Sequence, residues 1–271
     1  MTSQDMTVQL LDTGTMECDE TWLLLQGGRT IADRHHRDMR RRWVGCPTHA
    51  VLIRHPDATL LWDTGVPRDW ETRWSATGFE EYFPVREPVD GPGFLDSALA
   101  ELELAPDDID ILVLSHLHLD HAANAQMFTG GHTRIFAHTD EIDGVAGLPE
   151  STGAYIIDDF DGINFEPVSG DTEILDGVTL VESPGHSWGT MSLQVDLPEE
   201  GTKLFTSDAV YLEANWGPPA AGAAIVWDNV RWLESVQRLR QIAERTDAQV
   251  IFGHDEHQKD SLRFAPHGHY R

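Results

Sequence analysis

The chain has 271 residues, of which 40% are hydrophobic and 24% charged, an ordinary composition for a globular protein with one sizeable core. Its 46 acidic and 19 basic residues give a formal net charge of −27, which disfavours nucleic acid as a partner because phosphate binding needs a basic face. No stretch approaches the roughly 20 apolar residues that a membrane-spanning helix needs, so a membrane partner is not expected either.

The composition carries three further expectations. We expect a single domain over residues 1–271, because no repeat, low-complexity tract or clear linker divides the chain. The start lacks the basic and apolar regions of a secretory signal, and Cys18 and Cys46 are too few for a disulfide framework, so a cytoplasmic protein with free thiols is expected. The acidic, lysine-poor balance is typical of proteins from salt-accumulating cytoplasms; an acidic mesophilic protein is the alternative.

Short apolar runs separated by turn residues predict strands in the first third, at residues 8–11, 22–25, 50–54 and 59–63. The last two runs flank His55-Pro56-Asp57-Ala58, which predicts a hairpin. Residues 94–104 have the helical period and end before Pro106. Residues 109–115 are β-prone without interruption, which is typical of a buried strand.

The second half continues with a strand at 134–138, a helix from Thr139 and a β-meander over 163–196 that turns at Asp176-Gly177. A strand at 203–207 precedes a long helix, for which Asp228 is the predicted N-cap. The apolar stripe of that helix has helical spacing and consists of Val226, Val230, Leu233, Val236, Leu239 and Ala243. A last strand at 249–252 runs into Gly253-His254. Strands and helices in both halves predict two sheets covered by helices.

Four metal-ligand side chains follow the buried strand within six residues, in His116-Leu117-His118-Leu119-Asp120-His121. Residues two apart on an extended segment point the same way, so His116 and His118 can bind one cation together. The chain must then turn, which lets Asp120 and His121 face a second position. Imidazole and carboxylate ligands suit zinc and similar first-row metals. A chance cluster among 14 histidines is the alternative, and the close spacing disfavours it.

Three later segments each place one ligand-type residue beside glycine or small residues at a predicted strand end: Ser183-Pro184-Gly185-His186-Ser187, Thr206-Ser207-Asp208-Ala209 and Ile251-Phe252-Gly253-His254-Asp255. Singly they are weak, because a lone histidine at a strand end is more often structural. Their order behind the first cluster, with Asp63-Thr64-Gly65 upstream, resembles the metallo-β-lactamase superfamily over nearly the whole chain. The resemblance implies an αββα sandwich with two divalent ions at one edge between the sheets.

The resemblance also implies a role for each residue. His116, His118 and His186 would hold one ion, and Asp120, His121 and His254 would hold the other. Asp208 would bridge both ions, and Asp63 would support the site without binding metal. Zinc is the first expectation, with iron, manganese and cobalt as alternatives.

Within the superfamily the chain is most similar to the N-acyl-homoserine lactonases and related small-lactone hydrolases. Asp208-Ala209-Val210-Tyr211 places a tyrosine three residues after the bridging aspartate, as in the lactonases, and Phe252-Gly253-His254-Asp255 looks like their final ligand segment. The chain departs from them at Ala122-Ala123-Asn124, where they usually have Gly-Gly-Asn, and at Leu119, where an aromatic residue is often found. A lactone or similar small ester is therefore the expected substrate.

The expected reaction is attack of a metal-bridging hydroxide on the lactone carbonyl. Tyr211 would donate a hydrogen bond to the oxyanion, and Asp120 would pass a proton to the leaving alkoxide. A buried Tyr211 with its hydroxyl bonded to backbone is the alternative. A thioesterase or phosphoesterase on the same scaffold, and a non-catalytic metal- or ligand-binding protein, are the alternative functions.

Two further features have open interpretations. An aromatic stretch would form either a lid or pocket wall, or loop packing or a subunit contact as in a homodimer; its members are Trp62, Trp70, Trp74, Phe79, Tyr82 and Phe83. Trp188 or Trp216 is also expected to line the pocket. The basic run 34–42 is interpreted as a solvated surface segment rather than an anion site.

Overall fold

Two β-sheets lie at the centre of the structure, a computed structural model that describes residues 6–25, 34, 42–88, 91–218 and 220–271. The first sheet has six strands: Thr7–Asp19 (β1), Trp43–Arg54 (β2), Thr59–Trp62 (β3), Ile111–Val113 (β4), Arg134–His138 (β5) and Phe165–Val168 (β6). The second has five: Thr172–Leu175 (β7), Val178–Glu182 (β8), Met191–Leu197 (β9), Gly201–Phe205 (β10) and Gln249–Ile251 (β11). Most of the basic run 34–42 lies outside the described residues.

Both sheets are mixed. In the first, β1, β2 and β3 pair antiparallel and β3 to β6 pair parallel, in sequential order. In the second, whose order is β11-β10-β9-β8-β7, only β10 and β11 pair parallel. Since β8 and β10 are both antiparallel to β9, the strands β8, β10 and β11 run in one direction and end at the same edge.

In the part of the chain that the structure describes, seven α-helices join or cover the strands: Trp70–Trp74 (α1), Leu95–Glu101 (α2), Thr139–Ala146 (α3), Ile157–Phe160 (α4), Glu213–Trp216 (α5), Asn229–Thr246 (α6) and Glu256–Lys259 (α7). Short 3-10 turns lie at Glu20–Trp22, Phe79–Glu81, Pro106–Asp108, Ala125–Phe128 and Ser207–Ala209. Among the described residues, no helix has both the length and the apolar content needed to cross a membrane.

Three apolar layers stack through the molecule. The inner faces of the two sheets meet in a core that includes Ile53, Trp62, Leu193 and Phe205. The outer face of the first sheet packs on α2 and α3, and the outer face of the second packs on α6. These layers confirm the predicted αββα sandwich. Both cysteines are buried free thiols, as expected.

Most predicted strands are confirmed, but two expectations for β-structure are wrong. Residues 22–25 form no strand, because the chain makes a 3-10 turn at Glu20–Trp22. The Asp19 side chain caps the start of this turn by accepting a hydrogen bond from Thr21 N. The meander over 163–196 is also shorter than predicted, because β6 pairs parallel with β5 in the first sheet. Within this range only β7 to β9 form the meander, and β10, which is antiparallel to β9, continues it.

Helix α6 begins after Asp228, whose carboxylate accepts hydrogen bonds from Val230 N and Arg231 N, as predicted for its N-cap. The predicted apolar stripe is wrong at this end, since Val230 is 66% and Leu233 is 47% exposed. Trp232 is buried instead, with an exposed fraction of 0%.

The loop before His186 explains why Trp232 of α6, rather than Val230 or Leu233, is buried. Asp228 N donates to Gly185 O, and the backbone of Trp232 lies so close to Gly185 that a Cβ there would be 2.2 Å from Trp232 N. Gly185 also has φ +129°, a backbone conformation that residues other than glycine rarely adopt. The start of α6 is thus positioned by a close backbone contact, which the period of apolar residues does not reveal.

Asp159, in α4, is a buried carboxylate whose ionisation should make stability depend on pH. Its Oδ1 lies 3.1 Å from Arg73 Nη1, and its Oδ2 has no hydrogen-bond partner. Burial raises the pKa of Asp159 to about 7, although the Arg73 charge opposes the rise. A raised acid pKa stabilises the fold at low pH, and this contribution is lost as the pH rises through about 7.

We therefore expect wild type to lose up to about 4 kcal/mol of unfolding free energy relative to Asp159→Asn between pH 4 and pH 8. Urea unfolding of both proteins across this range measures the difference. Asp158→Asn, which changes the exposed neighbour, is the matched control. A wild-type-to-variant difference that is constant with pH would contradict the account.

Candidate metal centre

The seven predicted site residues lie at strand ends on one edge of the sandwich. The segment His116-Leu117-His118-Leu119-Asp120-His121 follows β4 of the first sheet. His186, Asp208 and His254 follow β8, β10 and β11 of the second sheet, three strands that end at the same edge. The two sheets therefore bring ligand-type side chains together from opposite sides, and all seven side chains are buried.

The first group of side chains consists of His116, His118 and His186, named here the first triad. His186 Nε2 lies 3.0 Å from His116 Nε2 and 2.8 Å from His118 Nδ1. One nitrogen from each residue lies within 4.8 Å of the others, a spacing at which one metal ion can be held. Three imidazole nitrogens facing one point is the arrangement that zinc-type ions use.

The second triad consists of Asp120, His121 and His254, and it also satisfies the 4.8 Å spacing. Asp120 Oδ2 lies 3.4 Å from His121 Nε2 and 3.6 Å from His254 Nε2. The structure therefore brings together the same two sets of residues that the resemblance implies.

Asp208 lies between the two triads. Its Oδ1 is 2.9 Å from His254 Nε2 and 3.1 Å from His121 Nε2. Its Oδ2 is 3.3 Å from His186 Nε2 and 3.9 Å from His116 Nε2. Each carboxylate oxygen thus faces a different triad, which is the geometry that a bridging ligand requires.

Hydrogen bonds to the outer ring nitrogens orient several of these imidazoles. His121 Nδ1 lies 2.8 Å from Asp63 Oδ2, and His254 Nδ1 lies 2.9 Å from Pro47 O. His116 Nδ1 lies 3.0 Å from Ser115 Oγ, which itself donates to Asp63 Oδ2 at 2.8 Å. Such outer contacts fix the ring orientation and leave the other nitrogen free to bind metal.

The charges and pKa values of the side chains in the two triads favour binding of a cation. Burial and the neighbouring imidazoles lower the pKa of His116 and His118 well below the usual value, so both rings are neutral and keep their lone pairs. Burial opposes protonation of His254, but the carboxylates of Asp208 and Asp120 outweigh it and raise its pKa to about 9. The carboxylates thus create a strongly negative buried site.

One unpartnered atom supports the same conclusion. His121 Nε2 is buried between the carboxylates of Asp120 and Asp208 and has no hydrogen bond of acceptable geometry. A buried polar atom without a partner is costly, and a metal ion would satisfy it. The donor set therefore fits divalent metal ions.

Tyr211 is fully buried beside the first triad. Its Oη lies 2.5 Å from His186 Nδ1 and donates a hydrogen bond to Ile225 O. In this arrangement the hydroxyl orients His186 and holds the Ile225 backbone. The Tyr211 hydroxyl could donate to a substrate oxyanion only by giving up its hydrogen bond to Ile225 O, so its catalytic role stays a prediction.

A largely apolar cavity opens above the triads. Its apolar wall includes Met16, Leu23, Phe79, Phe83, Leu119 and Ile225, and its polar floor includes Asp120, Asp208 and Tyr211. The rings of Phe79 and Phe83 are stacked with centroids 5.7 Å apart. This part of the aromatic stretch therefore forms a pocket wall.

Trp62 does not line this cavity, and the expectation that Trp188 or Trp216 lines it is wrong. Trp62 packs in the core between the sheets. Trp188 stacks on Tyr155 and Trp216 packs against Phe252, and neither tryptophan lines the cavity described above. Adjacency in sequence to His186 or Tyr211 does not determine which way a side chain points.

Two polar residues next to the ligands are not predicted from the sequence. Ser115 bonds Asp63 and His116, and Glu141 accepts hydrogen bonds from backbone and side chains near the first triad. Ser115 directly precedes the histidine motif, which is a usable signal. Glu141 lies 20 or more residues from any ligand in the sequence, and no local pattern marks it.

The chain is similar to proteins of known activity over almost its full length. A family model described as the metallo-beta-lactamase superfamily matches residues 43–254. N-acyl homoserine lactonase AiiB of Agrobacterium fabrum is 32% identical, with 96% of this chain and 98% of that protein covered. The AiiB lactonase of Rhizobium rhizogenes is 31% identical with the same coverage. The solved structure of a quorum-quenching N-acyl homoserine lactone hydrolase covers 99% of both chains with a TM-score of 0.79 and 25% identity. The chain belongs to the metallo-beta-lactamase superfamily.

Proposed function

We propose that this protein is a metal-dependent hydrolase that opens the ring of N-acyl homoserine lactones or closely similar lactones. One observation carries the proposal: seven buried His and Asp side chains form two triads joined by Asp208, below a largely apolar cavity. The similarity to two lactonases at 31% and 32% identity supports the choice of a lactone over other esters.

Two divalent ions, with zinc as the first candidate, are the proposed cofactor. The first triad would hold one ion, the second triad the other, and Asp208 both. When bound, such ions lower the pKa of water and polarise an ester carbonyl. The protein supplies a buried site with preset ring orientations, which is where such charge stabilisation is strongest.

Asp120 is the proposed proton carrier. It lines the cavity, and although burial raises its pKa, the neighbouring imidazoles lower it below the usual value, so the side chain begins as a carboxylate. Ring opening forms a bond from a water oxygen to the carbonyl carbon and breaks the ring ester bond. Asp120 would take the proton of that water and return it to the leaving alkoxide.

The apolar wall suits the acyl group of the substrate. Phe79, Phe83 and Met16 border the cavity beside the polar floor, and each buried CH₂ is worth about 0.8 kcal/mol. No arginine or lysine lies among the described residues that line this cavity, which disfavours an anionic phosphoester. An uncharged lactone with an acyl tail fits both features.

The proposed role of Tyr211 predicts a loss of turnover. Without its hydroxyl, Tyr211→Phe should lower kcat by about 100-fold, since one oxyanion donor commonly contributes ~3 kcal/mol. Steady-state kinetics with metal analysis of the purified variant measure this effect. A kcat within twofold of wild type at unchanged metal content would show that the hydroxyl only positions His186 and the Ile225 backbone.

A panel of substrates tests the function. Purified protein, assayed in low and in molar KCl, should open short- and long-chain acyl-homoserine lactones faster than matched thioesters and phosphodiesters. Faster thioester turnover would favour the thioesterase alternative. Bound metal without turnover of any ester would favour the binding protein.

A further inference from the structure

Glu141, in the first turn of α3, is a carboxylate with an exposed fraction of 0% that has no part in the proposed reaction. Its Oε1 accepts hydrogen bonds from Leu117 N at 3.2 Å and Tyr155 Oη at 2.9 Å. Its Oε2 accepts from Ser187 Oγ at 2.9 Å and Gly189 N at 2.8 Å. Four donors on one buried carboxylate form a complete hydrogen-bond shell.

Three of these four donors belong to the chain segments that carry the first triad. Leu117 lies between His116 and His118, and Ser187 directly follows His186. One carboxylate therefore fastens the ligand segment after β4 to the ligand loop after β8. Because the two segments come from different sheets, this bond network spans the sandwich at the level of the metal centre.

Close packing holds the helix and the loop in register. A Cβ on Gly144 of α3 would lie 2.1 Å from the Trp188 ring, and a Cβ on Gly189 would lie 2.6 Å from His138 Nδ1. The Tyr155 ring stacks on Trp188 with centroids 4.8 Å apart. Glycines at both contacts let α3 approach the loop closely enough for the carboxylate to reach its donors.

The charge of Glu141 has no direct counter-ion. All four of its donors are uncharged, and in the part of the chain that the structure describes no cationic side chain bonds to it. Hydrogen bonds satisfy its oxygens, but an unpaired buried charge remains unfavourable. A cation held by the first triad, next to these donors, would offset it.

We propose that Glu141 is a positioning residue that strengthens metal binding by the first triad, an inference that rests on the proposed metal-dependent function. Its hydrogen bonds hold the chain just before His118 and just after His186, and it supplies a negative charge beyond the ligands. The Tyr155 ring, which packs edge-on against His118 with centroids 4.5 Å apart, extends the same contact to that imidazole.

The test is a titration of metal-free protein with Zn²⁺ against a chromophoric chelator. The amide of Glu141→Gln has one acceptor and one donor end, so it can serve only one of the two donor pairs. Removal of such outer contacts commonly weakens metal binding by about 10- to 100-fold. We expect a loss of this size for one of two metal equivalents, and none for Asp159→Asn, which removes a buried carboxylate that contacts none of the seven ligands.

Thermal unfolding separates positioning from a general structural role. Zn²⁺ should raise the Tm of Glu141→Gln by less than it raises the Tm of wild type. This deficit should exceed the difference in Tm between the two metal-free proteins. Wild-type affinity for both equivalents in the variant would overturn the proposal. If Glu141→Gln does not fold, Ser187→Ala, which removes one donor, should weaken one equivalent by a smaller factor, and unchanged affinity there would overturn it equally. No lactone is used, so failure of wild type to open lactones would count against the proposed function and not against this inference.

Discussion

Removal of divalent metal is expected to abolish lactone hydrolysis, and addition of metal is expected to restore it. The buried site holds three carboxylates, Asp63, Asp120 and Asp208, and imidazoles whose inward nitrogens converge. Without ions, no group of the site generates hydroxide near neutral pH, so we expect a loss of at least about 1,000-fold in kcat/KM, or ~4 kcal/mol of transition-state stabilisation.

The measurement is a lactone assay after dialysis against a chelator and again after addition of Zn²⁺, Mn²⁺ or Co²⁺. Circular dichroism of the metal-free protein is the control for loss of fold. Full activity in protein shown to be free of metal would refute the expected dependence. Restoration by several of these ions would agree with the ligand set, which accepts more than one first-row metal.

Asp208→Asn should be among the most damaging single substitutions. Its two oxygens face the two triads, 2.9 Å from His254 Nε2 and 3.3 Å from His186 Nε2. An amide keeps the shape but loses the negative charge and offers only one acceptor, so it cannot bridge two cations. We expect kcat/KM to fall by about 1,000-fold or more and metal content to fall below wild type.

Asp110→Asn is the matched control, because Asp110 lies at the opposite end of β4 from the histidine motif and bonds Thr59 N and His132. It should keep wild-type activity and metal content. Asp208→Asn with both ions bound and kcat/KM within tenfold of wild type would show that the bridge is not needed.

Much of the site could be predicted from the sequence because its residues stand next to strand ends. The run 109–115 predicts a buried strand, and the position of His116 at its end follows directly. His186, Asp208 and His254 each follow a strand in the same way, and the resemblance to the metallo-β-lactamase superfamily implies that they converge with the first cluster. The structure brings all seven together, while their roles as ligands stay a prediction.

What could not be predicted depends on contacts between distant segments. Apolar spacing favours Val230 and Leu233 as buried, but the close contact at Gly185 turns α6 so that Trp232 is buried. The β-prone residues of β6 fit either an antiparallel strand of a meander or the parallel partner of β5, which the structure shows. Periodicity describes which residues are apolar and does not say which neighbour covers them.

Side-chain direction limits prediction inside the site as well. Tyr211 is placed beside the metal centre as expected, but its bond to Ile225 O depends on the path of a loop that carries no motif. The role of Glu141 depends on donors spread over 72 positions, from Leu117 to Gly189. No local pattern in the sequence links such residues.

Stoichiometric titration of the metal-free protein with Zn²⁺, followed by lactone hydrolysis at each step, tests the central claim most directly. Two triads joined by Asp208 predict that activity rises until two equivalents per chain are bound and then stays constant. Saturation of activity at one equivalent, or hydrolysis before any metal is added, would contradict a two-metal centre.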